Sequence, residues 1–419
     1  MTKESYHTKK QHHYLSHKMK DYQVIACFLD AKNEKKWLAQ LGAQLKNFSD
    51  SILIKEALNR TEKSIPRLRR ILWGNTLPKT VSELGNGDNY YFFKPESLDA
   101  EIRWTILGLQ RYSKELHAFV QYRDEVEKEM LLGNYAEASD LLEESVKEIG
   151  YSVWYYEMRL TIAGYQDKFS ELLNIVTNVN KIKKDEKIGI VQLIMRDLML
   201  RSQRGMSPLE YDNVTYSRYK STRTDLQNDG YSYFLFRLNY YQHYDIKGLD
   251  SALLIEGLNS IYDRYTTLLY VLRSYYDKKE ESRAKVIHFA NQLYKLSGDL
   301  QILPFIALTN IKLLPDSYYD RDFISILDSY YTGHYNETIN LCHKYLKQTP
   351  SNFEAVRIYC RALMFLDKGY QPVCSNTGSP LNTVTFYVFN VLKGYDNENF
   401  LDNLYQINKN LYGLSIAAG

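Results

Sequence analysis

An all-α fold of paired helices stacked one upon the next is what the sequence predicts, on three observations. Apolar residues recur at helical spacing along most of the chain, as in Val286, Ile287, Phe289, Ala290 and Leu293, whereas alternating strand patterns are nearly absent. Two short stretches read alike across 200 positions, Gly133-Asn134-Tyr135-Ala136-Glu137-Ala138 and Gly333-His334-Tyr335-Asn336-Glu337-Thr338, each where one helical pattern gives way to another. A third copy, Phe169-Ser170-Glu171-Leu172, begins 34 positions after Tyr135, the period of a two-helix unit that cannot bury its apolar face alone.

Length and charge narrow the functional classes. The 419 residues suffice for one long stack or for two or three modules, and a net charge of +3 exerts no global pull toward nucleic acid or membrane. No uninterrupted apolar run of about 20 residues occurs, so a soluble, cytoplasmic chain is expected. Cys27, Cys342, Cys360 and Cys374 lack ligand spacing, which fits reduced thiols, and neither a metal nor a cofactor is expected. The chain holds 38 tyrosines, often paired as in Tyr155-Tyr156 and Tyr275-Tyr276, which are expected to fill space between helices with their hydroxyls toward solvent.

Taken in order, residues 1 to about 20 are polar and basic. His12 and His13 are adjacent, so their side chains diverge on a helix, and no carboxylate or cysteine completes a metal set. Helices are expected over Val24–Leu29, Lys35–Leu45, Ser51–Leu58 and Ile65–Trp73, ended by Gly74-Asn75 and Leu77-Pro78. After the Gly85–Asn89 loop, Glu96-Ser97 leads into a helix carrying Ile102, Trp104, Ile106, Leu107 and Leu109. Residues 1–117 thus form a helical N-terminal module.

That module holds a basic run with Arg60, Arg67, Arg69 and Arg70. It reads as the solvated face of a helix packed by Ile65, Leu68, Ile71 and Leu72, or as the second helix of a helix-turn-helix. With Ala57 as the small residue of the first helix, the inward position falls on Arg67. The solvated face is therefore adopted, with weak, sequence-independent nucleic-acid contact at most.

Residues 118–200 carry the best-defined repeats, with Leu131-Leu132 before Gly133 and Leu141-Leu142 after it, then Trp154, Tyr155, Met158, Leu160 and Ile162. Residues 201–230 break the pattern and read as an irregular connector. Residues 231–419 return to helical hairpins of variable length. Here Phe323–Tyr331 and Ile339–Leu346 flank the Gly333 turn, Pro350 stops the second helix, and Asn352–Leu366 restarts the cycle. Thr383–Leu392 is rich in β-formers but follows the Gly378-Ser379-Pro380 turn and is expected to be another helix. At the end, Phe400, Leu401, Leu404, Ile407 and Leu411 mark an amphipathic helix with no polar closing helix after it. This end is expected to be covered by a further segment, a second copy or a partner chain.

With Asp320 counted as the second position, Gly333, Tyr335, Thr338, Cys342 and Pro350 occupy small, aromatic, small, bulky and proline positions, and the pattern resembles the tetratricopeptide repeat (TPR) family. Asp322 and Ile326 stand where that family has its Trp and its first-helix Gly. The resemblance implies a right-handed superhelical solenoid of TPR-like hairpins behind the N-terminal module. It also implies a concave groove that takes a protein or peptide. Carried over position by position, the groove is lined by Phe323, Leu327, Tyr330 and Tyr331, then Glu354, Arg357, Arg361, Met364 and Phe365. In the N-terminal pair it is lined by Arg123, Glu127, Trp154, Glu157 and Tyr165. Arg357 and Arg361, one turn apart, suit a carboxylate.

Catalytic signatures are missing: no phosphate-cradling glycine loop, no Gly-x-Ser-x-Gly elbow, no His-Glu-x-x-His. Arginine followed after four to six residues by histidine, a pattern of HEPN ribonucleases, occurs at Arg111/His117, Arg237/His243 and Arg283/His288. The polar residue that usually follows the arginine is Tyr112, Leu238 and Ala284 here. A non-enzymatic scaffold or sensor is expected, with a helix-turn-helix/TPR regulator and a HEPN-type ribonuclease as alternatives. Low-alanine, Lys/Asn/Tyr-rich usage points to an AT-rich bacterial or phage genome, where such chains serve as adaptors in stress or antiviral defence.

Overall fold

A computed structural model describes residues 72–74, 76–85, 96–181, 246–278, 280–303 and 320–395, with single positions 46, 191, 194, 195, 198, 199, 233 and 237. The expected helices before Trp73, the 201–230 connector and the C-terminal helix around Leu404 lie outside these residues. Among the described residues the regular structure is helical, and no strand occurs.

Helix α1 (Leu98–Leu109) starts where the Ser97 hydroxyl accepts from the Ala100 N–H, and α2 (Ser113–Leu132) ends on left-handed Gly133. α2 runs without a break through position 117. Then come α3 (Tyr135–Ile149), α4 (Val153–Tyr165) and α5 (Phe169–Lys181). A second group follows, α6 (Ile246–Glu256), α7 (Ile261–Lys278) and α8 (Arg283–Ser297). The last is α9 (Arg321–Tyr331), α10 (Tyr335–Leu346), α11 (Phe353–Phe365) and α12 (Pro380–Leu392). The β-rich run 383–392 is helical, as its neighbours imply, with Ser379 capping Asn382 N–H and Pro380 in the first turn.

Left-handed backbone recurs at Gly133 and Asp167, and again at Gly333 and Asp367, 34 positions apart within each pair. Each aspartate takes the backbone conformation that a glycine takes 34 positions earlier. A short polar side chain tolerates this conformation where most residues do not. After Asp367 the regular spacing lapses into a loop held by Asn382. Its carboxamide oxygen accepts from the Val373 and Cys374 N–H groups at 2.8 and 3.0 Å, and its nitrogen donates to the Cys374 and Asn376 carbonyls at 2.8 and 2.7 Å.

Neighbouring helices pack in sequence along α2–α5 and along α9–α12. The middle group does something else. α1 packs against α6, α7 and α8, while α2 meets α7, α8 and α12, and α4 meets α7. Contacts of this range do not arise in a stack where each hairpin touches only the next. Their centre is aromatic. Phe119 of α2 lies edge-on to Trp154 of α4 at 5.1 Å and stacks on Tyr262 of α7 at 5.0 Å. Segment 76–85 threads the same junction, its Thr76 and Pro78 carbonyls accepting from Ile261 and Tyr151 N–H, both at 2.9 Å. Core tyrosines end on buried partners rather than in solvent: Tyr262 donates to the Ile149 carbonyl at 3.0 Å and Tyr265 to Asp299 at 2.6 Å.

Candidate functional site

The face formed by α9, α10 and α11 is built from its turns outward. Asp320 caps α9 by accepting from the Asp322 and Phe323 N–H groups, and its second oxygen accepts from the Tyr345 hydroxyl at 2.6 Å. Ser329 and Thr338 share a 2.8 Å hydrogen bond where α9 and α10 pack together. Ile326, Ile339, Cys342, Leu346, Val356, Tyr359 and Leu363 fill the interior. With these turned inward, Tyr331 and Phe365 are left 79% and 60% exposed.

They are not isolated rings. Phe365 of α11 stacks on Tyr335 of α10, centroids 4.6 Å apart and planes within 10°. Tyr330 stands edge-on to Tyr331 at 5.4 Å and to Tyr335 at 6.0 Å. Phe323, also expected on this face, stacks instead on Tyr345 at 5.8 Å. On α11, Arg357 donates to Glu354 at 2.5 Å, whereas Arg361, one turn before Phe365, has no carboxylate partner among the described residues. The face therefore combines a stacked aromatic surface with a guanidinium beside it, groups suited to an apolar side chain and an anion.

The N-terminal positions expected in the groove are placed differently. Arg123 is 1% exposed and pairs with Asp299 of the turn after α8. Glu127 and Trp154 are buried as well. Glu157 points toward Arg237 at 3.9 Å, and Tyr165 stacks on Tyr135 at 5.8 Å. The reason is the return of α7 and α8 onto α2 and α4, which encloses the side that a simple stack would leave open. Arg123, Glu127 and Trp154 belong to the core and offer a partner no surface.

The same return creates a buried charge cluster that sequence reading does not find. Arg237 lies 3.3 Å from Asp263, 3.8 Å from Glu256 and 3.9 Å from Glu157. Asp263 also accepts from the Val153 and Trp154 N–H groups at 2.9 and 3.0 Å, so a side chain of α7 caps α4. Glu256 accepts from Asn259 and Thr267 at 2.9 and 2.7 Å. Burial raises the Glu256 carboxyl above the ordinary carboxylate range, opposed by the Arg237 charge. No local signal marks pairs this distant in sequence.

Of the arginine–histidine pairs, Arg237 is thus a core residue, and His243 lies outside the described residues. Arg111 sits over the Trp73 ring at 5.8 Å, while His117 is tied to the Ser113 carbonyl at 2.7 Å. Arg283 lies over Tyr276, and His288 contacts Gln292 at 3.0 Å. Arg60, Arg67, Arg69 and Arg70 are outside the described residues. Among the described residues no group of three or more His, Cys, Asp or Glu could hold a metal, and no helix is long and apolar enough to cross a membrane. Burial pushes the Cys342 and Cys360 thiols up to about 12. No family model matches the chain, and no match is found among curated proteins or solved structures.

Proposed function

We propose that this chain is a non-enzymatic helical scaffold that holds a protein or peptide partner on the α9–α11 face, as an adaptor or sensor of the kind found in bacterial stress or antiviral systems. The observation that carries the reading is the exposure of Tyr331 and Phe365 over the Tyr330–Tyr335 cluster. Large aromatic groups left in water side by side mark an interaction patch. Arg361 beside them supplies a site for an acidic side chain or a peptide C-terminus. The left-handed turns repeated at 34 positions favour TPR-like hairpins arranged as a right-handed superhelix in the α2–α5 and α9–α12 runs.

The test is quantitative capture from native lysate with the wild type, a Tyr331→Ala/Phe365→Ala double variant and an Arg67→Ala/Arg69→Ala/Arg70→Ala triple variant. A partner held by the wild type and the triple variant but lost from the double variant supports the proposal. Nucleic acid captured by the wild type and the double variant but lost from the triple variant favours a regulator instead. RNA cleavage by the purified chain, abolished by substituting His117, His243 and His288, would contradict the non-enzymatic reading.

A further inference from the structure

On α4 and α5, well removed in sequence from the aromatic face, a cavity of about 490 Å³ opens between the two helices. Its size is that of small-molecule sites, about 300–1,000 Å³. Val81, Ile175 and Val179 supply apolar walls, and Arg159, Glu171, Asn174 and Asn178 supply polar ones. Arg159 and Glu171 both line this space and form no ion pair with each other. Each has partners of its own: Arg159 donates to the Tyr155 hydroxyl at 3.1 Å, lies over the Tyr155 ring at 5.9 Å and has Glu143 at 3.7 Å, and Glu171 has Lys168 at 4.0 Å. Their side chains are 37% and 38% exposed, so neither is locked by burial.

Opposite charges lining one cavity but held apart leave room for a ligand that carries the complementary charges at its two ends. Asn174 and Asn178 lie one turn apart on α5, and each carboxamide both donates and accepts, which matches a peptide group. We propose that this cavity binds a small zwitterion of the free-dipeptide class. Arg159 holds the carboxylate, Glu171 the ammonium, Asn174 and Asn178 the amide between them, and the apolar walls a short aliphatic side chain. The site is independent of the partner face and stands whether or not that reading does.

Calorimetric titration of the full chain tests it with glycyl-leucine, N-acetyl-glycyl-leucine and glycyl-leucinamide. The free dipeptide is expected to bind saturably and each capped form about tenfold more weakly, as loss of one charged hydrogen bond implies. Arg159→Gln is expected to stop distinguishing the acid from the amide, and Glu171→Gln the amine from its acetyl form. Arg159→Lys, which keeps the charge, should retain the distinction and guards against misfolding of the Gln variant, as does the circular dichroism of each. Three results would overturn the proposal: no saturable glycyl-leucine binding at millimolar concentration, equal affinity for all three ligands, or unchanged discrimination in both Gln variants.

Discussion

Arg123 of α2 grips Asp299 with both terminal guanidinium nitrogens, at 2.8 and 2.9 Å, although 176 positions separate them and both side chains are enclosed. Asp124 completes the arginine at 2.7 Å, and the Tyr265 hydroxyl and the Gln301 N–H complete the aspartate at 2.6 and 2.9 Å. The pair ties the first run of hairpins to the turn after α8.

Breaking such a pair from one side leaves a buried charge uncompensated, which costs about 3–5 kcal/mol. Arg123→Met and Asp299→Asn are each expected to lose stability on that scale in urea unfolding. Burial alone would raise the Asp299 carboxyl, but the Arg123 charge and the hydrogen bonds it accepts hold it below the ordinary value. Its stabilisation is therefore fully present above the unfolded carboxylate value, about pH 4, and is lost as pH falls through the lower folded value. The stability gap between wild type and Asp299→Asn should narrow on acidification below about pH 4 and stay constant from there to neutrality. A gap that widens in acid would contradict the assignment.

Asp263 provides a second long-range tie, capping α4 from α7 through two backbone bonds and holding Ser260 at 2.7 Å. Asp263→Ala leaves two buried N–H groups without acceptors and exposes the Arg237 charge to fewer carboxylates, a loss of about 2–4 kcal/mol. Asp263→Asn keeps one acceptor oxygen and should lose less. Equal losses for the two variants, measured by thermal unfolding, would show that the cap contributes nothing.

The two matching turns differ in what surrounds them. Gly133 and Gly333 both have positive φ, 80° and 82°. A Cβ on Gly133 would lie 2.6 Å from the Asn376 side chain and 3.2 Å from the Ser379 backbone, whereas a Cβ on Gly333 meets nothing within 4 Å. Gly333→Ala should cost only backbone strain, about 1 kcal/mol. Gly133→Ala should cost that plus displacement of the loop before α12, about 1–3 kcal/mol more. A smaller loss at Gly133 than at Gly333 would contradict the contact between α12 and this turn.

What the sequence discloses and what it withholds follow from range. Ser97, Gly133, Gly333 and Asn352 act within a few residues of themselves, and the helix boundaries they set were legible. The exposure of Tyr331 and Phe365 follows from local pattern too, because the hairpin around Gly333 packs with its sequence neighbours. Arg123 and Trp154 were misplaced because their surroundings are decided by α7 and α8, more than 100 positions away, and no helical periodicity encodes that return. The Asp367 turn carries no local signal, because an aspartate takes the left-handed conformation that glycine takes at Gly333. Arg237 belongs to a short arginine–histidine pattern, whereas its carboxylate partners at 157, 256 and 263 share no local pattern with it.

The most direct measurement is amide hydrogen exchange on the full chain, free and saturated with the captured partner. Binding on the α9–α11 face predicts slowed exchange in 321–331 and 353–365, with little change in the amides of α2 and α4 around Arg123 and Trp154. Protection confined to 60–70, or to any segment outside α9–α11, would contradict the scaffold reading.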